Sequence, residues 1–450
     1  MLTRFRFAAC VLLIAAVLSP RSAEAQGEAW VGREFMPRPN CTPKVGKQPI
    51  SWEQLALPLK VQKAEGDWLW VGKAWVGKQE VVPLTAPIEE FSIARHGDWP
   101  LVPVTIGGRE YQFLVDTGST VCVVDRSLQS ALSKTGTTSR VNGKTDMTVY
   151  QLQSAFVGKS RMPVTGPAVS IDLRPFREMS GHDVRGILGM SFLKGRVVMF
   201  DFDAGKVAFY RSFPTDVGNA VMLAYNETGI PFLNLDVAGR RTVTFRLDTG
   251  FVGGTAGNLE TNTIAELTWD GSLKQTGRRT GLTWIHGDEP SREVQLTQMR
   301  LGTYEHRELP FIEGKFNLLG LGYLSRYFVV FDFQNDRLIL KRGLRFDKPI
   351  RRNMLGGKIV RRGGDTLVSG ITPATPAHEG GLREGERILS IDGRDSSELS
   401  LFEMRSLFSE PGRRFNLVVQ GADEPREVSV LLSDWGKPQA AGKAIGKVRQ

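Results

Sequence analysis

The chain has 450 residues, 41% hydrophobic and 24% charged. That balance excludes a disordered or fibrous protein and describes a globular one too long for a single core. The formal net charge is +10, but the basic residues are scattered or sit in connecting stretches such as Lys341-Arg342 and Arg351-Arg352. No nucleic-acid-binding motif accompanies them, so nucleic acid is set aside as a partner. The three cysteines and five histidines show no metal-ligand or disulfide-framework spacing, so no metal and no cofactor is expected.

At the N-terminus, Arg4 and Arg6 precede an apolar run from Phe7 to Leu18, and Ala23-Glu24-Ala25 supplies a small-residue cleavage site. Residues 1–25 therefore read as a secretory signal peptide, with export to the periplasm or outside the cell. The alternative is an uncleaved membrane anchor, but the run is short for a span and no later stretch is long enough for one, so no stable membrane span is expected after cleavage. Losing Arg4, Arg6, Arg21 and Glu24 with the leader would leave a charge of +8. Export permits a Cys41–Cys122 disulfide, but Cys122 lies in the apolar run Val121-Cys122-Val123-Val124, where a buried free thiol is expected.

Residues 26–94 are rich in Trp and Val, with short β-runs at Leu59–Val61, Trp68–Val71, Ala74–Val76 and Val81–Leu84. The segment Gly66-Asp67-Trp68-Leu69-Trp70-Val71-Gly72 resembles the core of bacterial SH3-like domains. The resemblance implies a small β-barrel that binds a partner; the alternative is a packing domain whose Trp side chains fill its core. Thr85 to Ala94 reads as a short helical or irregular connection.

The next two segments, 95–213 and 220–344, repeat one another. Phe113-Leu114-Val115-Asp116-Thr117-Gly118-Ser119 answers Phe245-Arg246-Leu247-Asp248-Thr249-Gly250-Phe251. Gly186-Ile187-Leu188-Gly189 answers Asn317-Leu318-Leu319-Gly320, and Phe200-Asp201-Phe202 answers Phe331-Asp332-Phe333. Offsets of 132, 131 and 131 residues describe an internal duplication. In each copy a hairpin precedes the Asp-Thr-Gly, marked by Gly107-Gly108 in the first and Gly239 in the second. Short helices are expected near Leu128–Ser133 and Thr261–Leu267, and Pro214–Asn219 reads as a linker between the halves.

If two like halves pack about a pseudo-two-fold axis, Asp116 and Asp248 face each other. Two close carboxyls cannot both ionise cheaply, so they hold one proton between them and can activate a water for attack on a carbonyl carbon. Gly118 and Gly250 permit close backbone approach. Thr117 and Thr249 carry hydroxyls able to bond across the axis, and Ser119 can bond the Asp116 carboxylate. The two loops resemble the active-site loops of pepsin-like and retropepsin-like aspartic proteases over roughly residues 96–342, each followed about 70 residues later by the family's hydrophobic-hydrophobic-Gly segment. The resemblance implies Asp116 and Asp248 as a catalytic dyad hydrolysing peptide bonds, the Thr pair as a grip between halves, and a fused retropepsin-type pair in one chain. Phe251 departs from the family's Ser, Thr or Ala. Flap candidates are the turns at Asn142-Gly143-Lys144 and His286-Gly287-Asp288.

Beyond a basic linker, Arg345–Arg352, residues 350–434 contain Pro376-Ala377, Gly381-Leu382, Gly385-Glu386 and Ile388-Leu389-Ser390-Ile391-Asp392-Gly393. Their order resembles a circularly permuted bacterial PDZ domain. This implies an extended peptide, often a C-terminus, bound at a sheet edge beside the helix expected at Leu399–Ser409. Leu355, Gly356, Gly357 and Ile359 are the corresponding peptide-binding residues, with loop N–H groups taking the terminal carboxylate. The alternative is a domain that merely packs on the protease halves. Residues 435–450 read as a disordered tail, and His96, His182, His286, His306 and His378 as surface or loop residues.

The expected fold is mainly β: a two-lobed pepsin/retropepsin-like β-barrel protease with a PDZ domain and a small SH3-like barrel. The expected function is aspartic-type endopeptidase acting on a polypeptide substrate as a monomeric pseudo-dimer, with a C-terminal peptide as the PDZ ligand. Two alternatives stand beside it: an inactive peptide-binding scaffold, favoured by Phe251, and halves that pair between chains.

Overall fold

The structure is a computed structural model that describes residues 29–141, 145–152, 154–284 and 287–436. The fold is mainly β, and the chain divides into two compact units, one ending at Leu84 and the other beginning at Thr85.

The first unit holds a three-stranded sheet (Leu59–Lys60, Glu34–Pro37, Val81–Pro83) and a five-stranded one (Gln48–Pro49, Lys44–Val45, Trp75–Gly77, Trp68–Trp70, Lys63–Glu65). Its buried side chains are mostly aliphatic, among them Met36, Leu59, Leu69 and Val76, joined by Phe35 and Trp52. Trp68, Trp70 and Trp75 do not fill that core: they stay half-buried, with Trp70 and Trp75 in contact at 5.4 Å and the Lys44 ammonium 4.5 Å from the Trp68 ring. Alternation puts Leu69 and Val76 inward, which turns the large rings outward.

In the second unit the residues Thr85–Ala94 are not an irregular connection. Glu89–Ser92 is a strand at the edge of a six-stranded sheet, paired with Lys206–Tyr210. That sheet joins the two halves. At its centre Val197–Asp201 runs antiparallel to Tyr327–Asp332, with Val197 opposite Asp332 and Asp201 opposite Phe328. These strands are equivalents under the sequence repeat, so the pairing is symmetric about Met199 and Val330. The repeated Phe-Asp-Phe triplets meet here. Phe200 stacks on Phe202, Phe331 stacks on Phe333, and Phe200 meets Phe331 edge-on at 6.0 Å.

Above this sheet each half builds its own. Leu101–Ile106 pairs with Arg109–Val115 through a two-residue turn whose glycines, Gly107 and Gly108, have φ of 58° and 83°; positive φ at both positions gives the twist that a tight hairpin needs. Pro231–Val237 and Arg241–Leu247 repeat the hairpin in the second half. Leu101–Ile106 and Pro231–Val237 alternate buried and more exposed residues as half-buried strands should. Two longer hairpins come next, Ser133–Val141 with Thr145–Gln151 and Leu273–Trp284 with Gly287–Leu301. The flap candidates fall at their turns, where Asn142, Gly143, Lys144 and His286 lie outside the described residues. Where a helix is expected at Leu128–Ser133, the chain forms a 3₁₀ turn, Arg126–Ala131, and then enters a strand; the second expected helix is present as Thr261–Trp269.

A C-terminal module has its own core and a sheet ordered Lys358–Arg362, Asp365–Ser369, Arg387–Ile391, Arg414–Gln420, Arg426–Leu431. Its helix Leu401–Leu407 starts at a capping box between Ser400 and Glu403. The signal segment 1–25 and residues 437–450 of the tail lie outside the described residues. Trp435 packs its ring 3.9 Å from the Arg278 guanidinium. Cys41 and Cys122 are both buried and free.

His306 is not a surface histidine. It is buried among Tyr323, Tyr327 and Phe346 and shares a hydrogen bond with the Tyr327 hydroxyl, which in turn lies 3.1 Å from that of Tyr323. Burial, aided by Arg326 and Arg342, pushes the imidazole down to about 3. The unfolded chain therefore takes up this proton first, and stability is lost as pH falls below about 6.5. Replacing His306 with Phe is expected to cost about 1 kcal/mol at neutral pH through the lost hydrogen bond. It should also shrink the drop in Tm between neutral and acid buffer, measured by thermal melts of parent and variant.

Candidate active site

Each half presents its Asp-Thr-Gly at the end of a strand. Arg109–Val115 runs parallel to Val184–Leu188, which pairs antiparallel with Cys122–Asp125 beyond the loop. In the second half Arg241–Leu247, Leu318–Leu319 and Gly257–Glu260 repeat this arrangement. The hydrophobic-hydrophobic-Gly segments thus lie beneath the loops. The Asp116 N–H donates to Leu188 O and the Asp248 N–H to Leu319 O, both at 3.0 Å.

The two loops meet. The Thr117 hydroxyl donates to Leu247 O and the Thr249 hydroxyl to Val115 O, both at 2.7 Å. Each hydroxyl also accepts the backbone N–H of the other threonine at 3.1 Å. All four bonds are buried and cross between the halves. Close approach also explains the glycines: a Cβ on Gly118 would stand 2.4 Å from Asp248 Cγ, and one on Gly250 2.4 Å from Asp116 Cγ.

Asp116 and Asp248 are consequently brought face to face, each carboxyl carbon standing against the glycine of the opposite loop. Each also accepts an N–H within its own loop, from Gly118 at 2.7 Å and from Gly250 at 2.9 Å. The side chains are half-buried at the cleft floor, with protein crowding around them. That loss of hydration is the largest cause pushing both carboxyls up. Asp116 goes well above the ordinary carboxylate range, with the charge of Asp248 adding to the effect.

Ser119 does not serve Asp116 as expected: its hydroxyl donates to Val121 O at 2.9 Å, a bond that uses its only proton. Phe251 holds the equivalent place without disturbing the loop. Its N–H reaches Asp248 O at 3.3 Å, as the Ser119 N–H reaches Asp116 O at 3.5 Å, and its carbonyl takes the Leu321 N–H as that of Ser119 takes the Met190 N–H.

The carboxyls open onto a cleft of about 1320 Å³, walled by Trp99, Val123, Ile187, Phe251, Ile312 and Leu318 among others. Sequence reasoning missed the helix Arg174–Ser180, whose Phe176 and Met179 line this cleft. Pro175 in its first turn and the left-handed Gly181 at its end are the sequence signals that mark it. Its Arg177 is fixed by Asp125 at 2.7 Å, and Phe176 packs edge-on to Trp99 at 5.5 Å.

The C-terminal module borders the same cleft, with Leu355, Gly356, Gly357 and Ile359 in its wall. Leu355 and Ile359 are buried, and Gly356 has a φ of 78°. The loop is not an open set of donors: Asn353 Oδ1 already accepts the N–H groups of Leu355 at 2.8 Å and Gly356 at 3.2 Å, and Phe408 O takes that of Met354. A carboxylate there would have to displace the Asn353 side chain. The strand Lys358–Arg362 pairs on one side only, and helix Arg174–Ser180 lies near it. Glu178 meets Arg362 at 2.9 Å, and Arg405 donates to the carbonyls of Met179 and Ile359. Among the described residues, no three or more His, Cys, Asp or Glu side chains gather as a metal site requires.

Residues 102–192 match the protein family described as Aspartyl protease, and residues 367–421 match the PDZ domain family. The chain thus carries an aspartyl protease domain, matched over the first half, and a PDZ domain. No curated protein matches the chain.

Two outcomes are expected. Thr117→Val removes a bond to Leu247 O and leaves the Thr249 N–H unpaired, so it should destabilise the protein by about 2–4 kcal/mol in denaturant titration. Asp116→Asn should raise Tm at neutral pH. The raised carboxyl contributes its full stability only below its unfolded value of about 3.9 and loses it as pH rises through the folded value. The gain in the variant should therefore be a few degrees near pH 7 and vanish in acid.

Proposed function

We propose that the protein is an aspartic endopeptidase in which Asp116 and Asp248 share one proton and activate a water held between them. The observation that carries this reading is the facing pair of carboxyls, brought together by the Thr117–Thr249 grip at the floor of a cleft large enough for an extended peptide, where crowding pushes both upward. In the reaction, the ionised carboxyl takes a proton from water, the oxygen attacks the scissile carbonyl carbon, and the protonated carboxyl gives its proton to the carbonyl oxygen. The proton then passes to the leaving amine as the tetrahedral intermediate collapses. Thr117, Gly118, Ser119, Thr249 and Gly250 act by holding the two loops in register. The reciprocal bonds between Thr117 and Thr249 within one chain support an intramolecular pair of retropepsin-type halves.

In this reading the PDZ domain takes an extended peptide along Lys358–Arg362, with Leu355, Gly356, Gly357 and Ile359 at its carboxylate end, which requires helix Arg174–Ser180 and Arg405 to give way along the strand and the Asn353 side chain to leave the loop N–H groups. The leader-like residues 1–25 direct export, and the Trp-rich unit before Leu84 is an SH3-like partner module. The scaffold alternative drew on Phe251, and the undisturbed main-chain bonds of that residue weaken it.

Digestion of a diverse peptide pool by the parent, Asp116→Asn and Asp248→Asn tests the proposal. Cleavage should fall by about 10²–10⁴-fold or more in both variants. The pH profile of the parent should be a bell belonging to the pair, with its upper limb displaced above the ordinary carboxylate range. Cleavage that survives in either Asn variant would sink the dyad, and binding without cleavage by the parent would restore the scaffold.

A further inference from the structure

The cleft carries more cations than its chemistry requires. Arg246 stands two residues before Asp248, with its guanidinium 3.7 Å from the Phe316 ring, and Arg279 is exposed on the strand Leu273–Trp284. Three more come from the basic stretch between the second half and the PDZ domain. That stretch is not a spacer. Arg345, Lys348 and Arg351 line the cleft, the Arg345 guanidinium donates to His96 O at 2.9 Å, and Arg351 O lies 2.9 Å from where a Cβ on Gly254 would stand. Lys348 and Arg351 are exposed.

The carboxylates of the same wall do not balance them. Glu178 is held by Arg362, and Glu293 by Arg278 and Arg352. Apart from Asp116 and Asp248, that leaves Glu227, which is exposed. Among the described residues, Arg279, Lys348 and Arg351 form no ion pair with a carboxylate, while Arg246 lies near Glu260 and Asp248, and Arg345 near Asp203, without pairing to them. Like charges held together in a concave wall cost free energy that a ligand of opposite sign recovers, and such a cleft raises the local concentration of that ligand.

Resting on the proteolytic reading for the fate of the bound peptide, we infer that this cleft selects acidic polypeptide segments, and that the linker residues Arg345, Lys348 and Arg351 supply the specificity. An Asp- or Glu-bearing stretch laid across Asp116 and Asp248 brings its side chains to the linker wall. A Lys- or Arg-rich stretch meets repulsion there, so the same residues attract one class and reject the other.

The test uses the full chain and three fluorescent peptides of equal length, acidic, neutral and basic. Binding is read by anisotropy on Asp116→Asn, which keeps bound peptide intact, near about pH 6, where Asp and Glu are ionised. Acidic peptide should bind about tenfold more tightly than basic peptide, a preference that fades as salt shortens the Debye length to about 3 Å at 1 M. Lys348→Glu/Arg351→Glu should abolish the preference. Lys60→Glu/Lys73→Glu, with the same change in net charge but in the other unit, should keep it. Equal binding of the three peptides, binding of none, or a preference that survives Lys348→Glu/Arg351→Glu would overturn the inference. Cleavage by the parent is scored separately. Selective binding with no cleavage leaves the acidic site standing and removes the protease; cleavage with no preference does the reverse.

Discussion

The reciprocal grip of Thr117 and Thr249 is the constraint on which the rest of the second unit depends. Each hydroxyl donates to a carbonyl of the opposite half and accepts the N–H of its counterpart, so these buried polar groups are satisfied only when both halves are present. The grip brings the loops so close that neither Gly118 nor Gly250 has room for a Cβ. The same closeness crowds Asp116 and Asp248 and raises their proton affinity. Structure at the axis and chemistry at the axis are therefore one arrangement, and the paired strands Val197–Asp201 and Tyr327–Asp332 hold it from below.

A third element closes the site. The PDZ domain is tied to the first half by Arg362 with Glu178 and by Arg405 with the Met179 carbonyl. Arg278 of the second half, 3% exposed, bonds the Trp435 carbonyl at 2.9 Å and pairs with Glu293 and Asp434. A buried guanidinium needs this many partners, because an unpaired one would be costly. The domain thereby borders the cleft from both halves, and its linker becomes a wall of the site. Helix Arg174–Ser180 takes part in both arrangements: Phe176 and Met179 line the cleft, while Glu178 and the Met179 carbonyl hold the PDZ domain.

Much of this was legible in the sequence because it was written twice. The Asp-Thr-Gly loops, the hydrophobic-hydrophobic-Gly segments and the Phe-Asp-Phe triplets recur at near-constant offset; the loops and the triplets meet their counterparts, and each hydrophobic-hydrophobic-Gly segment lies beneath its own loop. The hairpin at Gly107-Gly108 and the helix at Thr261 were readable from local turn and periodicity signals. Ser119 was misread because its hydroxyl had a nearer acceptor, the Val121 carbonyl, that only the curl of the loop supplies. The carboxylate-capturing role of Leu355 and Gly356 met a similar competitor in Asn353. Glu89–Ser92 read as irregular because two glutamates and a serine around one Phe leave little apolar signal, and it becomes a strand by pairing with Lys206–Tyr210.

The sequence by itself determined the repeated Asp-Thr-Gly loops and Phe-Asp-Phe triplets and which of their residues meet, because these follow from repeats and local patterns along the chain. Only the tertiary structure decided that His306 is buried and neutral, that helix Arg174–Ser180 joins two domains, and that the basic linker lines the cleft. Those facts depend on which distant segments share a surface. Burial and uncompensated charge are properties of that shared surface, and spacing along the chain does not encode them.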